Sequence, residues 1–236
     1  MKKAFIIFIT VLSAYNVYGQ NAENHYYDGL FKYKLLEDYR GAIAAFNKAI
    51  EINPEYAIAY KSRGGAKSML EDYRGAIADF NKAIEINPND TAAYFNRGFI
   101  KRVLKDYRGA IADFNKAIEL NPNDEAAYYE RGIPKFNLED YRGAIADFNK
   151  AIELDPNDTD NYQARGRTKH KLGDYKGAIA DFNKAIELYP KYADAYIYRG
   201  LAKHKLGQKD SACLDFSKAG ELGDENAYNL IKEICN

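Results

Sequence analysis

Few residues of this 236-residue chain have the types and spacing for catalysis or metal binding. There are three histidines, His25, His170 and His204, and two cysteines, Cys213 and Cys235. His170 and His204 hold one position of a repeated pattern, so duplication accounts for them better than a shared metal does. The cysteines lack metal-ligand spacing. The run Asp155–Asp160 has the acidic density of a calcium loop. It lacks the central glycine, and Gly166 stands where a bidentate glutamate is needed. Capping and turn formation are its expected roles. Asn89–Thr91 and Asn157–Thr159 fit a glycosylation acceptor but coincide with a recurring turn. No HExxH, GxSxG, P-loop or CxxC occurs. The expectation is a protein without catalysis, metal or cofactor.

The elements that position these residues are repeats. Asp72–Glu85 reads DYRGAIADFNKAIE. It recurs nearly letter for letter at Asp38–Glu51, Asp106–Glu119, Asp140–Glu153 and Asp174–Glu187, with a worn copy at Gln208–Glu221. Pro54, Pro88, Pro122, Pro156 and Pro190 keep the same beat. A fixed period of this length means stacked units, each burying surface against its neighbours. Within Ala57–Asp90, Ala57, Tyr60, Gly64 and Ala66 have helical spacing. Glu71-Asp72 ends that run, and Asp72 suits the N-cap of a second helix. Ile77, Phe80, Ala83 and Ile84 then share one face. Asn87-Pro88-Asn89-Asp90 stops the helix. Each unit is an antiparallel helix pair.

This pattern resembles the tetratricopeptide repeat (TPR) family. In the second copy the resemblance rests on Tyr60, Gly64, Ala76, Phe80, Ala83 and Pro88. It covers Glu23–Asn226 as six units, 23–56, 57–90, 91–124, 125–158, 159–192 and 193–226, with a capping helix at 227–236. The resemblance implies an all-α, right-handed α-solenoid whose first helices line a concave face. It implies a binding role, with no match here to the family's carboxylate clamp for chaperone tails.

Three charged series depart from the usual pattern. Arg63, Arg97, Arg131, Arg165 and Arg199 lie on first helices, with Lys67, Lys101, Lys135, Lys169 and Lys203 one turn on. Asp79, Asp113, Asp147, Asp181 and Asp215 lie on second helices. The first unit lacks all three, having Gly29, Tyr33 and Ala45 at those positions. Joint absence points to structural Arg–Asp pairs within each unit, because a planar guanidinium binds a carboxylate in bidentate fashion. Independent solvated charges are the alternative. Gly75 and its counterparts sit early in the second helix, with no firm account from sequence.

Met1–Gly19 reads as a secretory signal peptide. Lys2 and Lys3 precede the apolar run Ala4–Tyr15, and Val17 and Gly19 are small residues before a cut at Gln20. The run is too short for a comfortable membrane span. Residues 20–22 form a short linker. The expected site of action is extracytoplasmic, periplasmic or secreted. In that setting a disulfide between Cys213 and Cys235 is expected, tying the cap to the last hairpin. Ala227, Leu230, Ile231 and Ile234 form the cap's apolar stripe, with Lys232 and Glu233 outward.

Acids and bases balance at 34 each, so nothing supplies the electropositive face that nucleic acid requires. The second helices are nearly identical and the first helices vary, so specificity belongs to the first helices. By the resemblance, the partner-binding face includes Phe31, Met69, Phe95, Phe99 and Arg102. It continues with Tyr129, Ile133, Phe136, Gln163, Arg167, His170 and Lys171. Ile197, Tyr198, Leu201, His204 and Lys205 close it. The middle is aromatic and aliphatic and the C-terminal third basic, which suits a peptide or amphipathic helix with an apolar stripe and an acidic end. Pro134 falls inside the fourth unit's first helix, where it is expected to kink it. The first helix is apolar on more than one face, which suits a homo-oligomer. The alternatives to a peptide-binding scaffold are therefore a self-assembling element or an accessory subunit of a cell-envelope complex.

Overall fold

The computed structural model describes residues 21–236, all of them helical or in turns. The expected signal peptide, 1–19, lies outside the described residues. The described residues up to Leu120 and Asn121–Asn236 are two compact units. The first holds α1 (21–35), α2 (Tyr39–Ile52), α3 (Ala57–Met69), α4 (Tyr73–Ile86), α5 (Thr91–Val103) and α6 (Tyr107–Leu120). The second holds α7 (Glu125–Asn137), α8 (Tyr141–Leu154), α9 (Thr159–Leu172), α10 (Tyr175–Leu188), α11 (Ala193–Lys205), α12 (Lys209–Glu221) and α13 (Asn226–Leu230), ending in a π-helical turn, Ile231–Cys235. No described helix is long and apolar enough to cross a membrane.

Each hairpin closes on a phenylalanine. Phe46, Phe80, Phe114, Phe148, Phe182 and Phe216 are fully buried on the second helices, flanked by alanines such as Ala76 and Ala83. The ring needs room on the facing helix, and glycine provides it. A Cβ on Gly132 would stand 2.6 Å from Phe148 Cε1.

One aspartate manages both sides of the hairpin turn in the first five units, and Gln208 stands there in the sixth without a side-chain cap. The Asp72 N–H donates to the Lys67 carbonyl at 2.9 Å, ending α3, and its carboxylate accepts from the Gly75 N–H at 3.0 Å, starting α4. This fuses a Schellman C-cap with an N-cap. It also explains Gly75: the cap carboxylate lies against that Cα, where any Cβ would collide with Oδ2. The residue before the aspartate takes the left-handed conformation. It is Glu37 (φ 52°), Glu71 (60°), Lys105 (62°) or Glu139 (62°) early in the chain and Gly173 (87°) later, with Gly207 (76°) doing the same before Gln208.

The first hairpin corrects the sequence alignment. Gly29, not Leu30, packs on Phe46, with a hypothetical Cβ 2.5 Å from Cε1. Asp38 N–H reaches back to Lys32 O at 3.0 Å, one residue further than Asp72 reaches to Lys67. The turn carries one extra residue, so Asp28 and Lys32, rather than Gly29 and Tyr33, hold the Arg63 and Lys67 positions. Tyr26 correspondingly leaves the tyrosine series and packs 5.8 Å from the Phe46 ring.

Two further points concern helix continuity. The backbone stays helical through Pro134, which is fully buried where Ala66, Ile100, Thr168 and Ala202 are also buried. Proline survives because it sits in the last turn of α7, where only the Glu130 carbonyl loses its helical donor. The cap is not one regular helix, since α13 widens into the π turn. Ile231, Ile234 and Cys235 of that turn pack toward α12, and Cys235 is joined to Cys213 with Cα atoms 5.8 Å apart.

Candidate binding cleft

The first helices are held by a repeated charge cluster. Arg63 donates from Nε and Nη2 to the two oxygens of Asp79 at 2.9 and 2.6 Å. Lys67 Nζ lies 2.8 Å from Asp79 Oδ2. The remaining arm, Nη1, donates to Asn47 Oδ1 on the preceding hairpin at 2.6 Å, while the guanidinium covers the Tyr60 ring at 5.3 Å. The bidentate pairs recur as Arg97–Asp113, Arg131–Asp147, Arg165–Asp181 and Arg199–Asp215. The aspartates are buried, about 4% exposed at Asp79. These residues are occupied with one another, which leaves ligand contact to other side chains of the first helices.

In residues 121–236 some of those side chains converge on a cleft of about 200 Å³. Tyr129, Ile133, Phe136 and Asn137 of α7 form one wall, Ala164, Arg167 and Thr168 of α9 the other, and Phe148 the floor. The floor was legible only as core, and Thr168 and Ala164 were not singled out by sequence. Tyr129 leans on Phe148 with ring centroids 5.8 Å apart. Phe136 meets the Tyr141 ring edge-on at 5.5 Å. Asn137 Nδ2 donates to the Ile133 carbonyl at 2.8 Å, across the turn that contains Pro134.

A basic rim adjoins the cleft. The Arg167 guanidinium stacks 4.9 Å from the Tyr198 ring, which holds it at the mouth. Arg167, Lys171, His204 and Lys205 are exposed. Among the described residues no carboxylate forms an ion pair with Arg167, Lys171 or Lys205. His170 is half-buried, with its ring edge-on to Tyr175 at 5.2 Å. Burial, and then the charges of Lys171 and Lys205, lower its pKa.

The other expected residues divide. Tyr198 packs 6.0 Å from the Phe182 ring and Leu201 is half-buried. In residues 21–120, Phe31, Met69 and Phe99 are exposed, while Phe95 leans on Phe114 at 5.7 Å. Arg102 stacks over Phe99 at 4.6 Å. Gln163 and Ile197 are corrections: both are buried, at 4% and 8% exposed. Their shared repeat position, which Phe95 and Tyr129 also occupy, faces the hairpin phenylalanine and belongs partly to the core. Among the described residues no group of three His, Cys, Asp or Glu converges as metal ligands would.

Models of the tetratricopeptide repeat match residues 57–90, 91–124, 33–56, 126–158 and 148–180, and a TPR-repeat model matches 166–207. The chain belongs to the tetratricopeptide repeat family. No curated protein sequence matches this TPR protein. Among solved structures it is similar to YrrB, described as a TPR protein with an unusual peptide-binding site. Identity is 27%, covering 81% of this chain and 99% of that one, with a TM-score of 0.71. It is similar to MamA at 27% identity, covering 74% and 96%, with a TM-score of 0.69. Pseudomonas aeruginosa pilF, at 16% identity and a TM-score of 0.75 over 92% and 99%, shares the fold.

Proposed function

We propose that this TPR protein is an exported, non-catalytic scaffold that binds a peptide or helical segment of another protein through the cleft between α7 and α9. The observation that carries the reading is the apolar cleft with Arg167 at its mouth. The walls of Tyr129, Ile133 and Phe136 accept a bulky apolar side chain, whose burial would contribute about 1.5–3 kcal/mol. Acidic residues next to that anchor would lie against Arg167, Lys171 and Lys205, giving orientation and salt dependence more than raw affinity. The peptide-binding description of YrrB supports a peptide ligand. The export part of the proposal rests on the character of Met1–Gly19 and on the disulfide, which persists in oxidising compartments.

A labelled peptide with one phenylalanine followed by three glutamates tests the ligand class, with its lysine counterpart as control. The acidic peptide is expected to bind more tightly. Phe136→Ala should weaken it at all salt concentrations, and Arg167→Glu should remove the preference for acid. Equal binding of both peptides, unchanged by either substitution, would rule the cleft out. Fractionation of the producing cell tests export, since recovery in the cytosol with the N-terminus intact would contradict it.

A further inference from the structure

The α1 helix presents Tyr27, Phe31 and Leu35 outward, at 61%, 51% and 71% exposure. With the corrected register, Phe31 occupies the position of Ala66, Ile100, Pro134, Thr168 and Ala202. All of those are buried, and Ala66 packs against Ala42, Phe46 and Ala49 of the hairpin before it. The middle of the stripe is thus the stacking position of a repeat, filled by a larger apolar side chain than any later unit has there and with no described unit in front of it.

The charges beside the stripe indicate what covers it. Around the helix, Glu23 and Lys34 flank the stripe on one side, and Asp28 and Lys32 on the other. Asp28 and Lys32 already bridge each other at 2.7 Å. Glu23 and Lys34 are exposed and have no ion pair among the described residues. They lie at nearly equal distances on either side of Gly29. In an antiparallel pair of identical helices crossing there, same-side flanks face each other. Glu23 then meets the second copy's Lys34, while Tyr27 meets the second copy's Phe31. A parallel pair sets each charge level with its own copy and loses both matches.

We propose that α1 is a self-complementary surface, pairing antiparallel with α1 of a second copy of this chain. The contact is isologous and closes at two copies. It is a single short helix pair, so the association belongs to the weak, transient class. It does not depend on the reading of the cleft.

Sedimentation of the full chain tests it, over concentrations from about 1 μM to several hundred μM, as the small contact requires. The average mass is expected to climb from the monomer's 26.8 kDa toward twice that and stop. Phe31→Glu, at an exposed position that leaves the fold intact by circular dichroism, should hold the chain monomeric. Glu23→Lys or Lys34→Glu alone should weaken association about fivefold, from two symmetric pairs of exposed-pair strength. The double swap should restore it to about the original value. A monomer at every concentration would overturn the proposal. So would association indifferent to Phe31→Glu, a double swap no better than the singles, or growth beyond two copies.

Discussion

Gly29 and Phe46 are in contact with one more residue between them than separates Gly64 from Phe80. The extra residue sits in the turn of the first hairpin, and the glycine–phenylalanine contact is what the rest of that hairpin keeps. Alanine at Gly29 would press into the side of the ring. Gly29→Ala should therefore destabilise by about 1–3 kcal/mol through overpacking. Gly65, one position from the Gly64 contact and 3.7 Å from the nearest atom for a hypothetical Cβ, makes the control. Gly65→Ala should be neutral or stabilise by up to about 1 kcal/mol through helix propensity. Urea unfolding of both variants separates the two cases, and equal losses would mean that the ring contact does not set the register.

Arg97 and Asp113 form a different kind of restraint. The aspartate is buried and receives two guanidinium bonds and Lys101. Arg97 also reaches Asn81 on the hairpin before at 2.6 Å. Asp113→Ala should cost about 3–5 kcal/mol, because it leaves two cations facing an empty acceptor in a part-buried site. Arg97→Met removes charge and keeps bulk, so the double variant should cost less than the sum of the singles. A coupling energy of about 1–3 kcal/mol in the full cycle is the expected result. No coupling would reduce the cluster to solvated surface charges.

Glu71 adopts a left-handed backbone that its counterpart Gly173 adopts without a Cβ penalty. Glu71→Gly should stabilise by about 1 kcal/mol and Gly173→Ala should destabilise by a similar amount. The two changes have opposite signs at equivalent positions, so thermal melts read them without any correction for helix content. Melts that move in the same direction would show that the turn is governed by something other than backbone conformation.

These turns show what the sequence makes legible. The period, helix pairs and caps could be read because Asp72, Pro88 and their copies act locally. The Arg–Asp geometry was readable for another reason: arginine and aspartate are both missing from the first unit, where the corrected register puts Asp28 and Ala45, while Lys32 keeps the lysine position. The one-residue slip was not, because Gly29 and Leu30 are both compatible with a helix and only the facing Phe46 chooses between them. Gln163 and Ile197 misled for a similar reason. At that position Phe95 and Tyr129 lean on the phenylalanine ring of the second helix, and variation there reads as specificity when part of it is the fit of a side chain against that constant ring. Gly75 remained opaque because its neighbour in space, the Asp72 carboxylate, is fixed only once the cap forms.

His170 gives the last prediction, because the same position in the preceding unit is Phe136 and both rings meet a tyrosine edge-on. Burial and the nearby Lys171 and Lys205 depress the His170 pKa in the folded protein. The unfolded chain then binds a proton more readily than the folded one below the ordinary histidine value of about 6.5. The sign follows: this contribution to stability is complete above that pH and is lost as pH falls through it toward the folded value. His170→Phe should keep the ring contact and flatten the stability difference between pH 7.5 and pH 5.5, measured by urea unfolding against the parent chain. An acidic peptide in the cleft would place negative charge near the same imidazole and raise its pKa, so peptide affinity should increase as pH falls over that interval, and the increase should vanish in His170→Phe. If the variant keeps the full pH dependence of both stability and binding, the titrating group is elsewhere and His170 serves only as a packing ring.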